Sequence, residues 1–314
     1  MTPAEFDYMR QMLKEASGLV LSEKKQYLLE SRLAPVMRDE EFESLSELIA
    51  RIKAPGSEKL RESVVQAMTI NESFFFRDKT PFENFTNTML PALMASPRAG
   101  NKQLRIWCAA ASTGQEPYSL AILLKEMEDQ LRGWNIEIIG TDLSQEVLEK
   151  AKAGLYSQFE VQRGLPIQLL VKYFQQTGSL WQIDSAIRSM VTYKHFNLLT
   201  DYSALGTFDV IFCRNVLIYF DPPTKSDMLK RMAARMRPNG YLVLGAAETV
   251  IGISDDFKPV PDARGLYALP ASPGEMAATL RGAATALGGA QTAPAATGTT
   301  AAVPAATAST IKLG

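Results

Sequence analysis

The stretch Leu104-Arg105-Ile106-Trp107-Cys108-Ala109-Ala110-Ala111-Ser112-Thr113-Gly114-Gln115-Glu116-Pro117 decides how this chain folds. Its first six residues form a largely apolar run of strand length. Pro117 suits the first turn of a helix, where its missing N–H leaves no hydrogen bond unmade, and it predicts a helix over 117–129. Small residues fill the space between. At the carboxyl end of a strand in a doubly wound sheet, small residues let a ligand lie against main-chain N–H groups. The run is not G-x-G-x-x-G, which argues against a dinucleotide. Read alone, it fits a tight strand-to-helix turn equally well.

Outward from this stretch, strands and helices alternate, the pattern of a parallel sheet covered on both faces. Residues 136–141 predict a second strand, and Ser144 caps a helix over 145–153 that Gly154 stops. Residues 208–213 read as a buried strand and 225–236 as an amphipathic helix. Pro238-Asn239-Gly240 reads as a turn and 241–245 as a strand, with a last strand over 265–269 expected antiparallel to it. The intervening segment 155–193 reads as an irregular insertion whose 180–183 and 189–193 stretches form a small hairpin sheet.

Residues 1–70 show helical periodicity instead: Phe6, Met9, Met12 and Leu13, then Tyr27, Leu28 and Val36, then Leu45, Leu48 and Ile49 recur at spacings of three and four. About four helices follow, with Ser22 capping the second and Pro35 expected to kink or break it. At the other end, residues 271–314 contain 15 Ala and 8 Thr, no aromatic residue, and only Glu275, Arg281 and Lys312 as charges. So little apolar surface cannot offset the entropy of ordering, and a disordered tail is expected. The expected division is a helical domain with linker over 1–75, an α/β domain over 76–270 with its β insertion at about 155–195, and the tail.

Composition sets limits on function. The chain of 314 residues carries Lys+Arg 33 against Asp+Glu 34, a formal net charge of −1, so no global positive field exists to hold a nucleic acid. Two cysteines, Cys108 and Cys213, sit in apolar runs and cannot make a disulfide framework, which fits a reducing compartment. The first residues lack a signal-peptide core, and no apolar stretch reaches membrane-span length. A cytoplasmic protein without membrane insertion follows from this reading, and a monomer is expected.

The chemistry turns on Thr141-Asp142 at the end of the second strand, where a carboxylate can accept both hydroxyls of a ribose. Asp142 alone also suits a helix start. Paired with a small-residue loop lacking a phosphate-binding glycine turn, it suggests a nucleoside without a pyrophosphate, and S-adenosylmethionine is the candidate.

Four longer motifs carry a resemblance. These are Thr69-Ile70-Asn71-Glu72-Ser73-Phe74-Phe75-Phe76-Arg77, Ala110-Ala111-Ser112-Thr113-Gly114-Gln115-Glu116-Pro117-Tyr118-Ser119, Gly140-Thr141-Asp142-Leu143, and Phe208-Asp209-Val210-Ile211-Phe212-Cys213-Arg214-Asn215-Val216-Leu217-Ile218-Tyr219-Phe220. In order and spacing they resemble the chemotaxis protein-glutamate O-methyltransferase (CheR) family from about residue 5 to 269. The resemblance implies an all-α domain followed by a Rossmann-like, doubly wound S-adenosylmethionine-dependent methyltransferase domain with a small β insertion. It implies that Asn71, Ser73 and Arg77 contact the methionyl part of the cofactor and that Glu116 and Asp142 hold its amino group and ribose. Asn197 and Leu198 would lie along the adenine, Cys213 and Arg214 would close the pocket near the sulfur, and Tyr219 would stand beside the transferred methyl. Ser73 stands where the family commonly has Thr, and Gln115 where it often has Glu; the first change keeps the hydroxyl.

The implied reaction esterifies glutamates on the cytoplasmic helical bundle of a chemoreceptor and releases S-adenosylhomocysteine. A glutamate carboxylate, with a pKa of about 4.3, is already ionised at neutral pH and needs no general base. No metal is expected either. The chain has one histidine, His195, which reads as structural, as do the two thiols. An arginine fork such as Arg77 matches the cofactor's carboxylate; an ion pair with Asp78 or Glu72 is the other reading of that residue. Of Phe74–Phe76, at least Phe75 or Phe76 is expected in a core.

Two other functions fit these residues less well. Asp221-Pro222-Pro223-Thr224 superficially resembles the motif of amino-methylating DNA enzymes, but it lies eight residues past Cys213 and lacks the terminal aromatic that stacks on a flipped base. A non-catalytic adaptor would have lost cofactor residues that are all present here. One branch of the family captures a receptor's C-terminal peptide on a Gly-rich loop. Here 174–180 is short with one glycine, so independence from that tether is expected. Lys24, Lys25, Arg32 and Arg38 are then candidates to meet the acidic bundle, although residues 1–75 hold 10 Lys+Arg against 13 Asp+Glu and a solvated face fits equally.

Overall fold

The computed structural model describes residues 1–270; the expectation for the Ala/Thr-rich stretch falls on 271–314, outside them. Helix α1 (Pro3–Ser17) starts where the sequence supplies every N-terminal device. Thr2 and Glu5 form a reciprocal capping box, Pro3 occupies the first turn, and Gly18 ends the helix in the left-handed region at φ 77°. Helices α2 (Gln26–Asp39), α3 (Leu45–Lys53) and α4 (Glu58–Met68) follow. Their apolar stripes, Phe6, Met9 and Leu13 of α1, Leu29 and Leu33 of α2, Leu48, Ile49 and Ile52 of α3, and Val64, Val65 and Met68 of α4, close one core. Leu143 of the α/β unit packs against that core. Two expectations change here. Ser22 precedes a short 3₁₀ turn, Glu23–Lys25, without capping it through its side chain, and α2 runs through Pro35 unbroken. Val36 and Met37, beyond the proline, pack on the core and hold the last turn despite the missing hydrogen bond.

Ten strands follow among the described residues: β1 (Gln103–Ala109), β2 (Asn135–Asp142), β3 (Leu155–Ser157), β4 (Phe174–Thr177), β5 (Leu180–Ile183), β6 (Val191–His195), β7 (Phe208–Cys213), β8 (Met236–Leu244), β9 (Lys258–Pro259) and β10 (Leu266–Ala268). Seven make one sheet in the order β6-β2-β1-β7-β8-β10-β9, parallel from β6 to β8 and antiparallel at β10 and β9. Period-two alternation sends Leu104, Ile106 and Cys108 of β1 to one face and Trp107 and Ala109 to the other. Both faces are covered, which is why β1 and β7 read as apolar runs rather than as alternating strands. The chain leaves β1 toward β2 and β6 and returns on the opposite side at β7, so the crevice at the carboxyl ends of β1 and β7 is the switch point where such sheets bind ligands.

The insertion differs from its expected form. β5 pairs antiparallel with β3 and β4 in a separate three-stranded sheet, whereas residues 191–195 form the parallel edge strand β6 of the main sheet. Burial decides this: Val191 and Tyr193 alternate into the main core and face the helices there. The rest of 155–188 is helical in part, over Gln158–Gln162, Ile167–Tyr173 and Ser185–Arg188. The helix after β1 starts at Gln115, two residues before Pro117. Pro238-Asn239-Gly240 is not a turn between elements. It is an irregularity inside β8, where β7 advances from Phe208 to Val210 while its partner advances from Met236 to Tyr241. The preceding helix therefore ends at Ala234.

Candidate functional site

A cleft with about 1020 Å³ of empty space, mouth included, opens at the switch point. Its floor is the loop after β1, whose backbone is held in unusual conformations: Ala110 at φ 61°, Ser112 at φ 52° and Gly114 at φ 93°. Strain of this kind persists only where surroundings enforce it, and it clusters at ligand sites. Here Ala111 N donates to Thr141 O at 2.8 Å, Ser112 Oγ donates to Asn71 O at 2.7 Å, and Tyr156 Oη donates to Thr113 O at 2.8 Å. Only glycine fits at 114, because a Cβ there would stand 2.6 Å from Tyr193 Oη.

Asp142 ends β2 in the wall of this cleft. Ser112 N donates to one carboxylate oxygen and Ser144 N to the other, each at 2.9 Å. These main-chain donors fix the carboxylate in the cleft wall. Burial pushes this carboxyl up, partly opposed by those main-chain donors. Trp107 Nε1 donates to Thr141 Oγ1 at 2.9 Å and locks the neighbouring strand ends together.

The opposite wall is charged and deeply withdrawn from water. Arg214, beyond β7, donates from Nη1 to Glu116 Oε2 at 2.8 Å and from Nη2 to Asp78 Oδ2 at 2.7 Å and Arg77 O at 2.8 Å. Its Nε is buried without a hydrogen-bond partner among the described residues. Burial raises the Glu116 carboxyl, and Arg214 pulls it back. Arg77, which lines the cleft, donates to Glu72 O at 2.8 Å and lies over Phe74 at 5.4 Å, and its charge helps to lower the Glu72 carboxyl, whose main partner is Arg163. Phe75 and Phe76 are fully buried, as expected.

The helical unit closes the remaining side. Ser17 and Leu19 join the wall, Asn197 Nδ2 donates to Ala16 O at 2.7 Å, Val20 N donates to Tyr219 O at 2.9 Å, and Lys14 pairs with Asp221 at 2.7 Å. Of the residues singled out from the sequence, Asn71, Ser73, Arg77, Glu116, Asp142, Asn197, Leu198, Arg214 and Tyr219 all line this one cleft. Cys213 does not: it is buried in the sheet core, on the face opposite Cys108, and burial pushes both thiols well up. Asn197 also has its amide committed to Ala16 O and Leu199 N. His195 lies outside the wall, with Nε2 2.8 Å from Leu143 O. Asp221 of the Asp-Pro-Pro run is a helix cap that accepts from Thr224 N at 3.0 Å.

Ser17, Leu19, Ser112 and Phe196 are wall residues that the sequence reading missed. Ser112 lay inside a quoted motif, but Ser17 and Leu19 enter only because α1 folds over the cleft. Together these groups offer a paired acceptor for a diol, a buried carboxylate, guanidinium groups and an apolar slot at Leu198. That set fits a nucleoside bearing a short zwitterionic chain, and S-adenosylmethionine has this form.

Comparison with known proteins agrees. Residues 71–266 match the family described as CheR methyltransferase, SAM binding domain, and residues 4–69 match CheR methyltransferase, all-alpha domain. The chain is 42% identical over 266 residues to Chemotaxis protein methyltransferase Cher2 of Pseudomonas putida, covering 83% of this chain and 96% of that one. It is 43% identical over 268 residues to Chemotaxis protein methyltransferase 1 of Pseudomonas aeruginosa (84% and 96% covered) and 39% over 257 residues to its Vibrio cholerae counterpart (81% and 92%). Among the described residues no helix is long and apolar enough to cross a membrane. The chain belongs to the CheR methyltransferase family, enzymes that bind S-adenosylmethionine in an α/β domain preceded by an all-α domain.

Proposed function

We propose that this methyltransferase esterifies glutamate side chains on the cytoplasmic helical bundle of a chemoreceptor. Bound S-adenosylmethionine supplies an electrophilic methyl group on a sulfonium. In this reading Arg77 takes the carboxylate of the methionyl chain, with Asn71 and Ser73 beside it, and the free oxygen of Glu116 takes its amino group. Asp142 accepts the ribose hydroxyls on its carboxylate oxygens. Leu198 lies against the base, and Asn197 both borders the base and ties α1 over it. Arg214 fixes Glu116 from behind, and Cys213 supports this wall from the core without touching the ligand.

The observation that carries the acceptor reading is which titratable side chains the cleft offers to an acceptor: the partly buried phenol of Tyr219 lines it, whereas the chain's sole histidine is held away at Leu143 O. Burial raises the Tyr219 pKa and Arg32 and Arg77 pull it down, which leaves a neutral hydroxyl at physiological pH to orient an acceptor. An acceptor that arrives ionised needs alignment and desolvation rather than deprotonation, and a carboxylate meets that condition.

Recognition of the bundle would fall to α2 and the turn before it. Lys24, Lys25 and Arg38 are exposed there, while Arg32 donates to Met68 O at 2.8 Å and so also secures α2 to α4. Independence from a receptor C-terminal tether is supported by the β4–β5 hairpin, where Thr177 pairs with Leu180 across only Gly178 and Ser179. The test is methyl transfer to a receptor cytoplasmic fragment. Labelled methyl that alkali releases as methanol, that disappears when the accepting glutamates become glutamine, and that survives deletion of the receptor's C-terminal tail is expected. Label retained in alkali would overturn the ester reading, and loss with the tail would overturn tether independence.

A further inference from the structure

Glu248 lies outside the cleft wall, yet its carboxylate is buried and gathers the backbone of the two strand ends behind it. Oε2 accepts from Gly245 N at 2.7 Å and Asn215 N at 2.8 Å; Oε1 accepts from Val216 N at 2.9 Å and Ile218 N at 3.3 Å. Among the described residues, every hydrogen bond the carboxylate accepts comes from a main-chain N–H. Gly245 directly follows β8, and 215–218 leads from the end of β7 to Tyr219, so one side chain clamps adjacent strand ends.

The surroundings are shaped to this carboxylate. A Cβ on residue 245 would stand 2.7 Å from Glu248 Oε2 and 2.8 Å from Asn215 Nδ2, so the glycine there is what lets the carboxylate approach the backbone. Asn215 is held at φ 61°, a conformation that asparagine tolerates better than most residues but that still needs enforcement. The 3₁₀ turn Leu217–Tyr219 has no side-chain cap from its own N-cap residue Val216, and Glu248 Oε1 takes over that task from outside the segment. At the far end of the same turn, Tyr219 O accepts from Val20 N of the helical unit.

We infer that Glu248 is a positioning residue for methyl transfer: by clamping 215–218, of which Asn215 and Val216 also line the cleft, it sets the height and direction of Tyr219 in the same stretch of wall. This rests on the reading of Tyr219 given above. The clamp acts on the segment that carries Tyr219, whereas Asp142, Glu116 and Arg77 are carried by other segments of the same cleft lining. Its loss should therefore separate turnover from cofactor affinity.

The experiment compares wild type with Glu248→Gln, whose amide presents N–H groups to two of the four donors. Three readouts are taken: S-adenosylhomocysteine titration, hydrogen–deuterium exchange across 213–220, and kcat on a receptor fragment. Expected are faster exchange confined to 213–220 and 245–248, affinity within about threefold of wild type, and kcat lower by on the order of 10²-fold, the scale of a misplacement near 1 Å. Glu248→Asp, which keeps the charge but shortens the reach, gives the same test if Gln does not fold. Unchanged exchange at 213–220, unchanged kcat, or affinity and kcat falling together would each overturn the inference. If wild type transfers no methyl to glutamate, the acceptor reading fails instead, and exchange with the titration still decides whether the clamp exists.

Discussion

Arg214 Nη1 stands 2.8 Å from Glu116 Oε2, and their side chains retain only 2% and 11% of their accessible surface. Two opposite charges so withdrawn from water stay tolerable only as a hydrogen-bonded pair. The pair joins the loop after β7 to the helix after β1, and the further bond from Arg214 to Asp78 fastens both to the segment that carries Arg77. Arg214→Met would strand Glu116 without its counterion. A loss of about 3–5 kcal/mol is expected, read from urea denaturation of the variant against wild type. A loss near zero would mean that the pair does not hold the wall.

Asp221 joins the two structural units by a 2.7 Å pair with Lys14 while capping the helix Pro222–Ala234. Lys14 and Thr224 hold its carboxyl down at about 2. A depressed folded-state pKa contributes stability above the unfolded value of about 3.9, and that stability is lost as pH falls through about 2. Lys14 is half exposed, so the ion pair itself contributes little and the cap dominates. Asp221→Ala is expected to lose about 1 kcal/mol at pH 7, with the difference from wild type vanishing toward pH 2. Equal differences at both pH values would contradict the assignment.

Gly114 combines a left-handed backbone with a Cβ position already taken by Tyr193 Oη. Gly114→Ala must strain the loop or displace a buried tyrosine. About 2 kcal/mol or more of stability should be lost, together with cofactor affinity, since the loop floor moves. Thermal unfolding and titration check the two effects. A substitution silent in both would show the loop to be adaptable.

Much of this was legible in the sequence because it is local. The spacing of Phe6, Met9 and Leu13 announces α1, Ser144 and Gly154 bracket the helix after β2, and the apolar runs of β1 and β7 announce buried parallel strands. The wall residues were legible where they sit at strand ends, as Asp142 does. What escaped depends on partners distant in sequence. Residues 189–193 have a strand pattern whichever sheet they join, and only the cover over Val191 and Tyr193 sends them to the edge of the main one. Pro35 breaks an isolated helix, but not one held by Val36 and Met37 on a core. Cys213 ends a strand beside the cleft, yet strand alternation turns its side chain into the sheet core. Ser17 and Leu19 reach the cleft only through the packing of α1 across it.

Asp142 concentrates the central claim, that the strand-end carboxylate holds the ribose of S-adenosylmethionine. Burial raises its pKa, so ionising it disfavours the folded protein: the contribution is favourable below the ordinary carboxylate value and is lost as pH rises through the raised one. A diol donating to both oxygens reverses that preference, so cofactor affinity should weaken as pH falls toward the raised value. The most direct measurement is titration calorimetry of S-adenosylhomocysteine into wild type and Asp142→Ala at neutral pH. Losing two hydrogen bonds to a charged acceptor should weaken binding by about 2–3 kcal/mol, roughly 30- to 150-fold. Equal affinity in a folded Asp142→Ala variant would contradict the account.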